Sequence, residues 1–474
     1  MDLLSAVVTT GIYCRPGCAG RPRPDHVKPY ALAAAAEADG FRPCLRCRPY
    51  RSSRPLSWSG SELVCRAVQL ITDGALDGPT EGQLAARLGV SGRHLRRLFI
   101  QELGVTPDAL ARSRRAHFAR RLLDDTDLSI AGVAFAAGFG SVRQFGRACH
   151  EVFRAAPGDL RARRRVTDRL VADGGLRLRL PFEGALDWDA LVAYFQARAI
   201  PGVEHVEGDT YRRTVVVDGD PGVLELAPGR PGQLLLRAHL PHWEQLIHLV
   251  HRARRIASLD FDLEEPIGQL SGDPLLGPLI DARPGLRVPG TWDPFETGVR
   301  AIIGQQVSVA GATTLAGRLV ARLGAPVPGL AAMGLTHTFP TPETLAGADL
   351  SGSGLTAIRQ DAIAAFARSV IEGAVRLDRS AGLDDLVASI TAIDGLGPWT
   401  AHYIALRLGE PDAFPATDLG VRRALRAGLA GEAGLAGDRR PAAGLGEKWR
   451  PWRAVATAHL WAAAGAGGAD ARGE

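Results

Sequence analysis

Lysine is almost missing from this chain: Lys28 and Lys448 are the only two among 56 basic residues, and the rest are arginine. A side-chain amine able to act as a nucleophile is therefore confined to two positions. Long apolar runs are missing too. Nothing approaches the ~20 uninterrupted apolar residues that a spanning helix requires, and no apolar leader of the signal-peptide kind precedes the first cysteine. The expectation is a cytoplasmic protein with no membrane partner. Cysteine is scarce, six in 474 residues, yet Cys14, Cys18, Cys44 and Cys47 all fall before residue 50.

Their spacing is Cys-x3-Cys, a gap of twenty-five residues, then Cys-x2-Cys. Each short pair sits on a tight turn, so both thiolates can reach one ion, and the gap lets the two turns close a tetrahedron of sulfur around a single Zn²⁺. Two disulfides are the alternative, and they run against the reduced state of cytosolic thiols. From spacing alone, a closed structural zinc site is the commonest outcome for four cysteines.

Length and charge divide the remainder. A chain of 474 residues corresponds to about three or four domains at ~100–200 residues each. Residues 1–170 carry 27 Lys and Arg against 16 Asp and Glu, whereas residues 171–474 carry 29 against 35. The basic front is the electrostatic footprint of a nucleic-acid binder.

From about Arg54 to Thr167 the pattern is of short helices. In TEGQLAARLGVSGRHLRRLFIQELG, Leu84, Leu88, Leu95 and Leu98 recur at helical spacing, with a break at Gly89-Val90 and Ser91 placed as an N-cap. The unit recurs in LSIAGVAFAAGFGSVRQFGRACHEVF, with Gly138 at the turn and Ser141 as cap, after a linking helix around Pro107–Leu123. Two such units joined by one helix resemble the AraC-type DNA-binding domain. That resemblance implies that Arg93, His94, Arg96, Arg143, Gln144 and Arg147 face the major groove of double-stranded operator DNA. A helical protein-binding domain is the alternative. The tail Arg161-Ala162-Arg163-Arg164-Arg165 adds phosphate contacts or a solvated linker.

The cysteine-bearing stretch TTGIYCRPGCAGRPRPDHVKPYALAAAAEADGFRPCLRCRP resembles the amino-terminal module of the Ada family of DNA methyl phosphotriester repair proteins. The resemblance implies that Cys14 is both a zinc ligand and a stoichiometric methyl acceptor, because a metal-bound thiolate stays deprotonated and can attack a methyl group in one displacement. The family carries a further segment before this stretch. Here nine residues separate Met1 from Gly11, so the expectation is either a misplaced start or a shortened module. Ala148-Cys149-His150-Glu151 is similar to the Pro-Cys-His-Arg site of the O6-alkylguanine methyltransferases but lacks its proline and arginine. Cys149 is expected to be a core residue or plain thiol, as is Cys65, and no alkylguanine domain is expected.

Residues 176–230 alternate apolar and polar positions in LRLRLPF, YRRTVVVDG and LELAPG around a helical DWDALVAYFQARA, which predicts an antiparallel α+β layer. An all-helical region follows from 287, with GVRAIIGQQVSVAGATTLAGRLV and DLVASITAIDGLGPWTAHYIALRLGEPDAFPATDLGVRRAL. In Ile393-Asp394-Gly395-Leu396-Gly397-Pro398 two glycines flank one apolar residue between helices, so backbone N–H groups can approach a phosphate. Together with Pro-Trp-Thr-Ala-x-Tyr and a later Phe-Pro-x-x-Asp, the turn resembles that of the helix-hairpin-helix DNA glycosylases, and the preceding layer makes it AlkA-like, of the 3-methyladenine glycosylase II type.

This resemblance implies catalysis by Asp418, whose charge stabilises an oxocarbenium-like deoxyribose; its position before LGVRRAL also suits an N-cap. Trp399, Tyr403 and Trp461, with Tyr194 from the layer, are implied as the aromatic pocket for a flipped, cationic alkylated base. Gly304-Gln305-Gln306 stands where the family has Gly-Gln-Leu, so Gln306 replaces an apolar wedge. Trp399 occupies the position of the lyase lysine, which implies a monofunctional hydrolase that needs no cofactor.

Taken together, the chain resembles an Ada–AlkA fusion of four domains: a zinc module over 1–54, a double helix-turn-helix over 55–168, an AlkA amino-terminal-like layer over 172–286 and a helix-hairpin-helix glycosylase over 287–468. Such a protein repairs alkylated DNA and regulates transcription, with activation of transcription as the alternative main role. A monomer is expected.

Overall fold

The computed structural model describes residues 3–20, 22–52, 60–170, 174–431 and 442–470. The boundaries expected at 54 and 172 lie outside the described residues. The chain forms two compact units, Met1–Glu183 with Gln233–His251, and Gly184–Gly232 with Arg252–Glu474.

The first unit opens with a four-stranded sheet of β1 (Leu4–Val7), β2 (Ile12–Cys14), β3 (Val27–Tyr30) and β4 (Arg42–Pro43), in the order β3-β1-β2-β4. β1 pairs antiparallel with both neighbours, so the short segment before Gly11 supplies a central strand. β2 and β4 run parallel, with Tyr13 opposite Pro43, and Cys44 N donates to Tyr13 O at 2.9 Å. The buried faces of Tyr13, Tyr30 and Phe41 share one core with Val64, Leu84, Leu95 and Phe99, so the sheet and the first helix pair fold on the same apolar nucleus.

Both helix-turn-helix units form as the caps predict. Glu81–Arg87 and Gly92–Leu103 meet at Gly89 (φ +73°), and Ile130–Ala136 and Val142–Phe153 meet at Gly138 (φ +78°), a backbone conformation in which glycine escapes the Cβ clash. Ser91 Oγ and Ser141 Oγ accept from the N–H three residues on. The linking helix runs Pro107–Asp125, two residues beyond the expected end. Its buried Asp124 accepts from Tyr50 and Arg51, and Arg120 pairs with the same carboxylate at 2.6 Å. This straps the helix to the segment that follows Cys47. β5 (Leu176–Pro181) and β9 (Gln233–His239) pair antiparallel in this unit.

In the second unit β6 (Glu204–Glu207), β7 (Thr210–Val217) and β8 (Asp220–Pro228) form an antiparallel meander beside the helix Trp188–Arg198. β6 and β9 are strands that the apolar pattern of residues 176–230 does not predict. β6 reads EHVE, polar at three of its four positions, because the residue it buries is Glu204. β9 lies beyond 230, although its buried Leu234, Leu236 and Ala238 alternate as a half-covered strand should. The remainder is helical, as expected. Pro294–Ile303, Ala357–Ile371 and Pro398–Leu408 bury Ile302, Ile363, Phe366 and Ile404 in a common core. Among the described residues no helix is long and apolar enough to cross a membrane.

Glu204 turns inward onto charge. Its carboxylate accepts from Arg300 at 2.7 Å and Tyr211 at 2.6 Å, and Glu296 pairs with Arg213 at 2.6 Å and Arg300 at 2.9 Å. Burial raises the Glu204 carboxyl, but Arg300 and Arg213 outweigh it and bring it from an ordinary 4.5 to about 2. A depressed acid stabilises the fold fully above its unfolded value and loses that contribution as pH falls from about 4.5 towards 2. The expected loss is about 3 kcal/mol at ~1.4 kcal/mol per unit. Urea unfolding of the protein and of Glu204→Gln should show a gap between them that is wide at neutral pH and closes across that window.

Candidate active site and zinc centre

The hairpin lies between Leu383–Thr391 and Pro398–Leu408. Gly395 has φ +83° and Gly397 is the N-cap of the second helix. Only Gly395 needs glycine for its backbone conformation; Gly397 leaves its N-terminal end uncovered, since a Cβ there would meet nothing within 4 Å. Gln305, in the turn between Pro294–Ile303 and Val309–Leu323, donates Nε2 to Gly395 O at 3.1 Å and to Thr400 Oγ1 at 2.9 Å. Its amide fastens that turn to the hairpin. Gln306 next to it is exposed with φ +53°, the left-handed region that residues other than glycine enter only at a cost.

Asp418 precedes the helix Leu419–Gly431. Its Oδ1 accepts from Gly420 N at 2.8 Å and Val421 N at 3.1 Å, so it does cap that helix. The same carboxylate also accepts two indole N–H groups, Trp461 Nε1 on Oδ1 at 2.8 Å and Trp399 Nε1 on Oδ2 at 3.0 Å. Trp399 stacks on Tyr403 with centroids 5.5 Å apart and planes at 23°, and Tyr403 meets Trp461 at 6.0 Å and 48°. Sequence reasoning gave the two tryptophans as aromatic rings for a cationic base; it missed that their N–H edges hold the carboxylate. Tyr194 joins the group through its hydroxyl, 3.3 Å from Tyr403 Oη. Sequence reasoning also missed Arg407, one turn after Tyr403, which donates to both phenol oxygens and to Gly290 O. Its i+4 spacing on the helix was the available signal.

The four sulfur atoms of Cys14, Cys18, Cys44 and Cys47 lie within 4.8 Å of one another. Parallel pairing of β2 with β4 brings Cys14 beside Cys44, and Gly17 (φ +69°) turns Cys18 back. Burial pushes the Cys14 thiol up, helped by its neighbour Cys44, and burial likewise raises Cys47 to about 11. Burial acts on Cys44 in the same sense but is outweighed by the backbone N–H groups of Cys47 and Arg46, and this thiol is lowered. Four half-buried thiols in mutual contact, with backbone donors aimed at sulfur, are a donor set that suits a tetrahedral soft cation.

Beyond that cluster Arg93, Arg96, Arg143 and Arg147 are exposed on the second helices of the two units. His94 is half-buried with Arg97 Nη2 at 3.2 Å from its Nδ1. Gln144 folds back, accepting Gly140 N at 3.1 Å. Cys149 is 1% exposed, and burial pushes its thiol up to about 12. It is a core residue.

A glycine hairpin followed by an aspartate clasped between aromatic side chains, in the helical part of the second unit, defines a helix-hairpin-helix DNA glycosylase, here carrying a zinc module and two helix-turn-helix units. Family models match the chain in that order: the metal binding domain of Ada over residues 2–50, a helix-turn-helix domain over 84–163, the AlkA N-terminal domain over 177–293, and the HhH-GPD superfamily of base excision DNA repair proteins over 299–433. A Mycobacterium tuberculosis protein described as a probable bifunctional transcriptional activator/DNA repair enzyme AlkA is 40% identical over 461 residues, covering 96% of this chain and 92% of its own. The DNA-3-methyladenine glycosylase 2 of Escherichia coli is 32% identical over 60% of this chain and 95% of its own length. A solved 3-methyladenine DNA-glycosylase from Archaeoglobus fulgidus superposes with a TM-score of 0.52 at 25% identity, over 60% of this chain and 96% of that one. The chain belongs to the family of bifunctional Ada–AlkA proteins, in which a zinc-binding DNA regulator is fused to an alkylation-repair glycosylase.

Proposed function

We propose that the protein hydrolyses the N-glycosidic bond of alkylated purines such as 3-methyladenine in double-stranded DNA, leaving an abasic site, and that its front module accepts a methyl group from a phosphotriester and thereby strengthens operator binding. The observation that carries the first part is the Asp418 carboxylate, fixed by two indole N–H groups at the edge of a stacked aromatic pocket. A flipped cationic base lies against Trp399, Tyr403 and Trp461 by cation–π attraction. As the bond to the sugar lengthens, positive charge grows on the deoxyribose, and the fixed carboxylate stabilises it and orients the attacking water. The departing base loses its charge by leaving and needs no strong acid. The hairpin N–H groups at Gly395 and Gly397 hold a backbone phosphate, and Gln306 enters the gap in the stack, its amide bonding the widowed base. Incubating the pure protein with methylated DNA and identifying the released bases tests this reading; release of none would overturn it.

Hydrolysis without strand cleavage follows from the amines. Trp399 stands at the lyase position, Lys448 is ion-paired to Asp273 at 2.6 Å, and Lys28 to Asp39 at 2.5 Å. Borohydride added during turnover is expected to trap no covalent protein–DNA adduct. A trapped species mapped to Lys448 would show a Schiff base and end the monofunctional assignment.

In the front module Cys14 Sγ attacks the methyl carbon. The S–C bond forms as the C–O bond breaks, and the electron pair leaves with the phosphodiester anion. Cys14, Cys18, Cys44 and Cys47 hold one Zn²⁺, which when bound keeps the thiols deprotonated near neutral pH. The exposed Arg93, Arg96, Arg143 and Arg147 bind operator DNA, reading base edges and phosphates.

A further inference from the structure

The floor of the aromatic pocket carries positive charge that a cationic base does not explain. Behind Tyr403 lies a small enclosed cavity whose lining includes Arg198, Arg213, Arg300 and Arg407 against only Glu204 and Glu296. Both carboxylates are taken by Arg213 and Arg300. Arg198 lies 4.1 Å over the Tyr194 ring, and Arg407 lies 5.0 Å and 5.9 Å from the rings of Tyr194 and Tyr403. Neither guanidinium has a carboxylate partner in the lining, so two charges are left uncompensated directly beneath a site that takes a cation.

The hydrogen bonds show where compensation can come from. Arg407 Nη1 donates to Tyr403 Oη at 3.2 Å and also to Tyr194 Oη, and the two phenol oxygens are 3.3 Å apart. With Tyr194 donating to Tyr403, the Tyr403 oxygen accepts two hydrogen bonds, which suits an anion better than a phenol. We propose that Tyr403 is the specificity-determining group of the pocket: as a tyrosinate held by Arg407 and Tyr194 it selects cationic over neutral damaged bases, and as a neutral phenol it discriminates less. The inference rests on the glycosylase reading above.

Burial alone raises the Tyr403 hydroxyl, but Arg407, Arg198, the Tyr194 hydrogen bond and Arg300 outweigh it and lower it to about 8, whereas burial raises Tyr194. The charged and titratable groups around Tyr403 are Arg407 on its own helix, Tyr194 and Arg198 on Trp188–Arg198, Glu296 and Arg300 on Pro294–Ile303, Glu204, Tyr211 and Arg213 on β6 and β7, and Asp418 behind the two indoles. Of these, Arg407, Arg198 and Arg300 act on Tyr403 to bring its hydroxyl into the mildly alkaline range. Crossing that range changes the floor by one negative charge a ring's width from the bound base.

Ultraviolet difference titration of the full chain is expected to reveal one tyrosinate with a midpoint of about 8. It should be missing in Tyr403→Phe and moved upward in Tyr194→Phe, which removes one donor and keeps the ring. In the Asp418→Asn background, duplexes containing one 3-methyladenine, which stays cationic, or one ethenoadenine, which is neutral, are then bound across the same pH range. The affinity ratio should rise roughly tenfold in favour of the cation and stay flat when Tyr403→Phe is added. A ratio that ignores pH with Tyr403 present, or a tyrosinate that survives Tyr403→Phe, overturns the proposal. Failure of the parent protein to release any base at any pH would instead refute the glycosylase reading and leave the spectroscopic midpoint as measured.

Discussion

Asp418→Asn is expected to abolish base release and to leave binding to abasic DNA intact. Loss of a fixed group that stabilises transition-state charge costs about 10²–10³ in rate, and the single-turnover release of 3-methyladenine is expected to fall at least that far. The substitution is informative because it separates the helix cap that Asp418 forms from the charge proposed to act in catalysis. The asparagine oxygen can still accept from Gly420 N and Val421 N, as Oδ1 does now at 2.8 Å and 3.1 Å, so the cap on the helix Leu419–Gly431 survives and thermal stability should change by less than ~1 kcal/mol. What disappears is the charge, together with the acceptor that faces Trp399 Nε1. A variant that folds normally but retains more than a few per cent of the parental rate would mean that the carboxylate is only a cap.

Incubation with methyl phosphotriester DNA is expected to add one methyl group to Cys14 and none elsewhere, with one zinc retained because a thioether can still coordinate. Cys14→Ala should take up no methyl. The methylated protein should bind its operator more tightly, since converting a thiolate to a thioether removes one negative charge from a surface apposed to phosphate. That gain should shrink as salt rises. Chelation supplies the structural half of the test. The four sulfurs sit within 4.8 Å of one another, and zinc in comparable peptide sites contributes about 10–16 kcal/mol, so its removal should release the Cys14 and Cys44 turns. Tyr13 and Phe41 are buried in a core shared with the first helix-turn-helix, and hydrogen exchange should show how far the loosening spreads into Gly92–Leu103. An unmethylated Cys14 in zinc-loaded protein would make the centre purely structural.

Local rules were legible in the chain itself. Ser91 and Ser141 announce helix starts because a side-chain oxygen three residues ahead of a free N–H is a short-range matter, and Gly89, Gly138 and Gly395 mark turns because a positive φ is costly for any other residue. The four cysteines declared a common metal by spacing, since two tight turns each fix a pair of sulfurs. β6 was hidden for the converse reason: its Glu204 is inward only because Arg300 and Arg213 arrive from elsewhere to pair with it. Trp399 and Trp461 could be nominated as aromatic residues of a base pocket. That their N–H edges clasp Asp418, nineteen and forty-three residues away in the chain, was decided by the packing of three helices, as was the meeting of Tyr194 with Tyr403 and Arg407 across more than two hundred residues. Sequence alone determined which chemistry each segment could carry, because capping, turn geometry and ligand spacing depend on neighbours. Tertiary structure alone decided which atoms share charge in a low-dielectric interior, because that depends on distances between residues whose separation along the chain says nothing of their separation in space.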